Sequence, residues 1–154
     1  MKIGKEIYSW IEDLYPINRT LAGPGFDDSL KYLKSIVPGI KINKYPSRSK
    51  VFEWSVPDEW HLDYAYIKDP LGNTILHTDD SSLNVVGYSR SVNKKLNLTE
   101  LKKNIYTLKD VPNAVPYVTS FYDSNWGFCL PYNTFKSLKE GKYEVCIKSK
   151  FIKG

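Results

Sequence analysis

The feature of this sequence that most constrains its fold is a change of hydrophobic period that begins at Ile40, with the sharpest break near residues 45–50. Before that point, apolar residues recur at the spacing of two amphipathic helices, which Pro16 and the Gly23–Gly25 and Pro38–Gly39 turns delimit. The apolar face of the first helix consists of Ile3, Ile7, Trp10, Ile11 and Leu14. The apolar face of the second consists of Phe26, Leu30, Leu33 and Val37.

After the break, the chain has the pattern of short strands separated by turns. Apolar runs predict strands at 40–44, 51–56, 62–67, 74–77, 83–88, 117–122, 126–130 and 143–151. One helix is expected between them, with Thr99 as its N-cap and apolar residues from Leu98 to Leu108, and a short helical turn is expected over Asn133–Leu138. The sequence therefore predicts an α+β fold in which two N-terminal helices precede a β-rich, mostly antiparallel domain.

Several features point to a cytoplasmic location. No run approaches the ~20 apolar residues of a membrane-spanning helix, and acidic Glu6, Glu12 and Asp13 interrupt the segment where a signal peptide would be apolar. Cys129 and Cys146 each lie in an apolar, strand-like run, which favours buried free thiols in a reducing compartment. We therefore expect no membrane partner.

The net charge of +5 makes nucleic acid a partner to consider. The 22 basic residues are scattered, however, and only Arg19, Arg48 and Arg90 are arginines, the residues that make forked contacts with phosphate and guanine. The charge distribution therefore argues against a nucleic-acid partner.

The sequence contains no complete catalytic set. No serine or cysteine lies in a nucleophile elbow, and no phosphate-binding loop is present. The two histidines, His61 and His77, are weak metal-ligand candidates, and so is Asp79, because imidazole and carboxylate groups bind transition metals. Their spacing matches no zinc site, and an ordinary strand-ending turn at His77 is the favoured interpretation. A small metal-dependent hydrolase is therefore the least favoured hypothesis.

Aromatic residues offer a second kind of candidate site. Several of the 12 tyrosines and 4 tryptophans fall in turns and at strand edges, namely Trp60, Tyr64, Tyr66, Tyr122, Trp126 and Tyr132. Large aromatic side chains can fill a small β-rich core or form a platform for a sugar or a peptide. Packing is the favoured interpretation, and the region of Tyr122, Trp126 and Tyr132 is the candidate site of a stand-alone carbohydrate- or peptide-binding module.

Four ordered blocks carry a family resemblance. They are Leu14–Gly25, Trp54–Trp60, Asn84–Ser89, and Ala114–Tyr122 leading to Trp126–Leu130. Together they resemble the aminopeptidase-like family of bacterial and archaeal proteins, whose members are often linked to polysaccharide-biosynthesis loci. The sequence departs from the family pattern at Asn84, where a histidine is common, and at Asn18, where a cysteine is common.

The resemblance implies a zinc-aminopeptidase-like core with a small inserted β-rich domain and a C-terminal winged helix. By this resemblance, residues 1–48 look like the start of the core, 49–140 like the insert, and 141–154 like the strand that returns to the core. The zinc ligands of the family lie beyond the position of Gly154. The resemblance therefore implies zinc in the full-length proteins and no metal ligand in this chain.

Arg19 and Thr20 match the family block most closely and are candidate substrate-binding residues. The Arg19 guanidinium could hold a substrate carboxylate, or it could bond backbone carbonyls of its own loop, which is slightly favoured. The expected function is that of an N-terminal portion that supplies scaffold and cleft wall for a peptide, or for a small substrate derived from an amino acid or a sugar. Apolar helix faces outside a larger core would also promote self-association.

Overall fold

The computed structural model of the chain describes residues 2–121 and 123–154. The chain forms two compact units. The helical unit comprises residues 1–61 and 151–154, and the sheet unit comprises residues 62–150. The domain boundaries expected at 48/49 and 140/141 stay a prediction.

The helical unit begins with the two predicted helices, which are confirmed. Helix α1 spans Lys2–Leu14 and helix α2 spans Pro24–Ile36. Pro24 occupies the first turn of α2, where its missing N–H would have no partner within the helix, and Asp27 lies near the positive end of the helix dipole. The start of α2 and the ends of both helices therefore lie where the local sequence predicts them.

The loop between the two helices packs against the backbone at Trp60. The Trp60 amide donates to the Ala22 carbonyl at 3.0 Å, and a Cβ at Gly23 would lie 2.5 Å from the Trp60 carbonyl oxygen. Gly23 also has φ 145°, which L side chains rarely adopt. Glycine is therefore required at this position for two independent reasons.

After α2 the sequence predicts a strand at 40–44, and this prediction is wrong. Ile40 and Ile42 alternate with exposed neighbours as in a strand, but residues 40–46 have no ladder partner, so the pattern alone does not make a strand. The single strand predicted at 51–56 is instead a hairpin of β1, Lys50–Val51, and β2, Trp54–Ser55. Phe52 and Glu53 form its two-residue turn.

The remaining elements are, in chain order, β3 Glu59–Lys68, β4 Thr74–His77, β5 Val92–Asn97, α3 Leu98–Lys102, β6 Ile105–Tyr106, β7 Phe128–Cys129, α4 Tyr132–Ser137 and β8 Lys142–Ile152. Four of these strands form a sheet in the order β4-β3-β8-β5, with antiparallel β3–β4 and β5–β8 pairs. The predicted α+β class is confirmed. The strands predicted at 62–67, 74–77 and 143–151 correspond to β3, β4 and β8.

The core of the sheet unit lies on one face of this sheet. Tyr143, Val145 and Ile147 alternate inward along β8, and Ala65 and Ile67 do the same along β3. The segment from Asn84 to Ser89 is also buried. Its backbone bonds to residues 118, 120, 127 and 129 rather than to a continuous strand.

Two strand predictions are wrong for this reason. Segment 83–88 is apolar because it crosses the core, whereas 117–121 is half-buried or exposed. The described residues of both segments form only isolated bridges, Val85 with Phe128 and Gly87 with Thr119. The strand predicted at 126–130 is the short β7, which pairs parallel with β6. Strands β5 and β6 were not predicted.

Helix α3 is capped by Asn97 rather than by Thr99, so that prediction is also wrong. The Glu100 amide donates to Asn97 Oδ1 at 2.9 Å, and the Asn97 amide donates to Glu100 Oε2 at 3.0 Å. This reciprocal capping box fixes the start of the helix. The helix ends at Lys102, and the predicted continuation to Leu108 is replaced by β6. The short helix α4 confirms the predicted helical turn.

Both cysteines are free and buried, as predicted. Among the described residues, none of the helices has the length and apolar character needed to cross a membrane.

Candidate functional site

The metal-ligand candidates form two small, separate pairs. His61 Nε2 lies 2.9 Å from Glu59 Oε2 in the helical unit, and His77 Nδ1 lies 3.2 Å from Asp79 Oδ2 in the sheet unit. The His77 backbone is also part of a turn, because its amide donates to Asp80 Oδ2 at 3.0 Å. Within residues 2–121 and 123–154, no three His, Cys, Asp or Glu side chains are grouped to hold a metal ion.

Arg19 and Thr20 both bond to their own loop. The Arg19 guanidinium donates to the Leu14 carbonyl at the end of α1, and Thr20 Oγ1 donates to the Ala22 carbonyl at 3.2 Å. These contacts hold the chain between α1 and α2 in place. Substrate binding by either residue stays a prediction.

The predicted aromatic platform is distributed between packed and partly open positions. Trp126 is 7% exposed and meets Phe128 edge-on, with ring centroids 6.3 Å apart. Tyr132 stacks on Phe135 at 6.1 Å, and Lys136 Nζ lies 5.5 Å from the Tyr132 ring. Tyr122 lies outside the described residues. Trp126 therefore presents little ring surface to a ligand, whereas Tyr132 is half-buried.

The outward side of β3 carries an arrangement that the sequence did not reveal. The rings of Tyr64 and Tyr66 are parallel within 4°, with centroids 6.3 Å apart. Lys148 Nζ lies 5.6 Å from the Tyr64 ring, and Lys68 Nζ lies 4.9 Å from the Tyr66 ring. We call these four residues the tyrosine ladder. Tyrosines two residues apart on a strand were the visible signal, but the sequence could not identify Lys148 as a neighbour.

A hydrogen bond and an ion pair fix the tyrosine ladder to the sheet. The Tyr66 hydroxyl donates to Glu144 Oε1 at 2.8 Å, and Lys148 Nζ lies 3.6 Å from Asp63 Oδ2. The bond to Glu144, together with burial, raises the pKa of Tyr66 to about 12. Tyr66 is therefore neutral near neutral pH and cannot act as a base.

The core thiol is equally unsuited to chemistry. Cys129 is fully buried, and burial raises its pKa to about 12. A thiol must ionise to act as a nucleophile or as a metal ligand. Cys129 is therefore a small core residue.

The two units differ sharply in how much apolar surface they bury. Of the eighteen hydrophobic residues that are buried among those described, Trp60 is in the helical unit and the other seventeen are in the sheet unit. Of the seventeen large hydrophobic side chains that are exposed, twelve are in the smaller helical unit. The sheet unit therefore has a core of its own, and the helical unit largely lacks one.

Helix α1 accounts for much of this exposed surface. Ile3, Ile7 and Ile11, which lie on its predicted apolar face, are all exposed, and Tyr8 and Tyr15 add to the same region. Monomeric proteins rarely expose large apolar patches, so these side chains of α1 are a candidate docking surface.

Residues 59–150 match a protein family described as a domain of unknown function, DUF2172. The match covers more than half of the chain, and the chain belongs to this family. A relative from Clostridium acetobutylicum, provisionally named a polysaccharide biosynthesis protein with an aminopeptidase-like domain, is 37% identical over 151 residues. The match spans 98% of this chain and 35% of the relative.

A solved structure agrees with this assignment. The crystal structure of a protein from the same organism, provisionally named a peptidase, superposes with a TM-score of 0.93 at 37% identity. The match covers 99% of this chain and 36% of that protein. The resemblance to aminopeptidase-like proteins is confirmed, and the chain spans about a third of the length of both relatives.

Proposed function

We propose that this chain acts as the N-terminal third of an aminopeptidase-like protein and contributes scaffold and one wall of the substrate cleft. The part of the longer relatives that lies outside the match is called the peptidase-like portion below. In this proposal the helical unit docks on the peptidase-like portion, and the sheet unit forms the wall. The observation that carries the proposal is the exposed apolar surface of the helical unit, in whose described part Trp60 is the one buried hydrophobic side chain.

The physical argument begins with α1. An isolated 13-residue helix is marginally stable in water, and most helices in proteins are stabilised by packing of their apolar face. Full burial of one isoleucine side chain contributes roughly 1.5–3 kcal/mol. Burial of Ile3, Ile7 and Ile11 against a docking surface would therefore stabilise α1 by several kcal/mol. Exposure of the same side chains to solvent gives no such stabilisation.

The sheet unit suits the role of a wall because it has its own core and its described residues present no catalytic set. Cys129 is a buried thiol with a raised pKa, and His77 is bound into a turn. A closed core can hold a surface rigidly beside a cleft whose reactive groups belong to another part of the protein. The substrate would be a peptide, or a small molecule derived from an amino acid or a sugar.

Zinc fits this scheme only in the peptidase-like portion. The described residues of this chain do not group three ligands, whereas a catalytic zinc site needs three protein ligands and an open position. We therefore assign no zinc-dependent chemical step to the residues of this chain. Its two free, buried thiols support a cytoplasmic location for the protein.

A second candidate function, a stand-alone carbohydrate- or peptide-binding module, is favoured by the tyrosine ladder. Tyr64 is exposed, and its neighbouring lysine adds a positive charge that a sugar carboxylate or an acidic peptide could contact. Calorimetry of the 154-residue chain with oligosaccharides and peptides tests this alternative. It requires binding that Tyr64→Ala removes and that Tyr117→Ala, a change at another exposed tyrosine of the same unit, leaves intact.

Co-expression tests the preferred function. The chain would be produced together with the peptidase-like portion of the Clostridium relative as two separate polypeptides, and the complex measured by analytical ultracentrifugation. We expect a one-to-one complex that Ile7→Lys and Ile11→Lys disrupt. Leu71→Lys, at an exposed turn of the sheet unit, is the matched control and should have no effect. Failure of the unchanged chain to form a complex would contradict the proposed function.

A further inference from the structure

The tip of the β1–β2 hairpin combines two features that are each unfavourable for an isolated chain. Phe52 is 94% exposed, the most of any large hydrophobic side chain among the described residues. Its φ is 52°, in the left-handed region that favours glycine and asparagine. The neighbouring Trp54 is also exposed. Phe52 therefore exposes its ring to solvent and also adopts a backbone conformation that is unfavourable for a phenylalanine.

Nothing in the hairpin itself requires phenylalanine at this position. Two-residue hairpin turns are most easily made by Asn-Gly and related pairs, which adopt positive φ without a steric penalty. Positions that break a local preference without a local gain are typical of functional sites. A contact outside the hairpin would give the side chain of Phe52 a role that the hairpin itself does not.

Hydrogen bonds close the base of the hairpin and restrict the conformations of its tip. The Arg48 guanidinium makes two hydrogen bonds to the Asp58 carboxylate, at 3.1 and 2.8 Å. The Arg48 amide donates to the Val56 carbonyl at 2.7 Å, and the Val56 amide donates to the Ser49 carbonyl at 2.9 Å. A preorganised tip loses little conformational entropy when it docks.

We propose that Phe52 is a docking anchor that inserts into an apolar pocket of the peptidase-like portion. The hairpin belongs to the helical unit, which has little core of its own, and the relatives carry about two-thirds of their length outside the match. Lys50 and Glu53 of the same hairpin are exposed and would supply a polar rim to the interface. An aromatic anchor inside a polar rim is the usual form of an interface hot spot.

This inference rests on the proposed function and adds a single, separable contact to it. The test uses two substitutions that differ in backbone freedom. Phe52→Gly removes the ring and also relieves the positive φ, whereas Phe52→Ala removes the ring and keeps the strained conformation. Leu71→Ala is the matched control, because Leu71 is an exposed turn residue of the sheet unit.

Each variant is co-expressed with the peptidase-like portion of the Clostridium relative, and the dissociation constant of the purified complex is measured. Both Phe52 variants should raise the dissociation constant by about 30-fold, the effect of losing a hot spot. Leu71→Ala should leave it unchanged. In the free chain, Phe52→Gly should unfold at the same urea concentration as the unchanged chain or at a higher one, which separates loss of docking from loss of folding.

The outcomes distinguish this inference from the proposed function. If the unchanged chain forms the complex and both Phe52 variants bind as tightly, Phe52 is not an anchor, and the proposed function is unaffected. If the unchanged chain forms no complex, the proposed function itself fails. If the chain alone forms a dimer that Phe52→Gly abolishes, the occupant of the tip is a second copy, and the proposed pocket is wrong.

Discussion

One pair of substitutions tests the contrast between the two units by making the same chemical change at a buried and at an exposed site. Ile147 is fully buried in β8 of the sheet unit, whereas Ile11 is 55% exposed on α1 of the helical unit. Ile147→Ala and Ile11→Ala each remove three carbon atoms. Any difference in their effect on the free energy of unfolding therefore reflects the surroundings.

The expected magnitudes follow from burial. Three buried carbons contribute about 2.4 kcal/mol of transfer free energy. The cavity left at Ile147 adds to this loss, so we expect Ile147→Ala to destabilise the chain by about 3 kcal/mol. Less than half of the Ile11 side chain is sheltered, so its loss amounts to about 1 kcal/mol. In Ile11→Ala, the higher helix propensity of alanine offsets about 0.4 kcal/mol of this destabilisation.

Urea unfolding followed by circular dichroism measures both effects, with the unfolding of each variant compared with that of the unchanged chain. We expect a large shift of the transition for Ile147→Ala and a shift near the detection limit for Ile11→Ala. If Ile11→Ala cost as much as Ile147→Ala, α1 would be packed in the free chain. The argument for a docking surface would then be refuted.

Three further predictions concern single contacts of the sheet unit. Tyr66→Phe should cost about 1 kcal/mol at pH 8, because the hydrogen bond to Glu144 is lost. The pKa of Tyr66 is raised in the folded state, so this difference should be complete below pH 10 and should disappear as the pH rises towards 12. A difference that is constant in urea unfolding from pH 8 to pH 11.5 would contradict it. Cys129 should resist iodoacetamide at pH 8 and react once the chain is unfolded in urea, because its pKa is about 12 and it is buried. Peptide mass spectrometry that finds native Cys129 fully alkylated would disprove this. Asn97→Ala should cost about 1 kcal/mol through loss of the α3 cap, while Asn97→Asp should keep most of the stability. Equal urea midpoints for the unchanged chain and the Ala variant would count against the capping role.

The sequence predicted the elements whose signals are local. Helices α1 and α2 have apolar faces at helical spacing and clear stop residues, and β4 has turn residues on both sides. The first residues of strand β8 alternate between more exposed and buried positions. In each case the information needed to choose helix or strand lies within the segment itself.

The sequence failed where structure depends on distant partners. Residues 83–88 are as apolar as a buried strand, but their backbone groups bond to several separate segments, and no sequence pattern reports that. Strand β5 contains lysine and asparagine at most positions and becomes a strand because it pairs with β8 over six residues. The prediction of Thr99 as the cap is wrong because Asn97 and Glu100 have the spacing of a capping box and form one.

The candidate surfaces also combine features that the sequence predicts with features that only the structure shows. The apolar face of α1 was visible as a helical period, but only the structure shows that Ile3, Ile7 and Ile11 of this face are exposed. The paired tyrosines of β3 were visible in the sequence, whereas Lys148 comes from β8 and joins them through the sheet. The strain at Phe52 had no sequence signal, because the turn contains no glycine or asparagine.

Hydrogen exchange of the backbone amides tests most directly whether the helical unit docks on the peptidase-like portion. The measurement compares the free 154-residue chain with its complex with the peptidase-like portion of the Clostridium relative. We predict fast exchange of the α1 amides in the free chain and slow exchange in the complex, with the amides of β3 and β8 in the sheet unit unchanged between the two samples. If the α1 amides exchange slowly in the free chain and at the same rate in the complex, the central claim is contradicted.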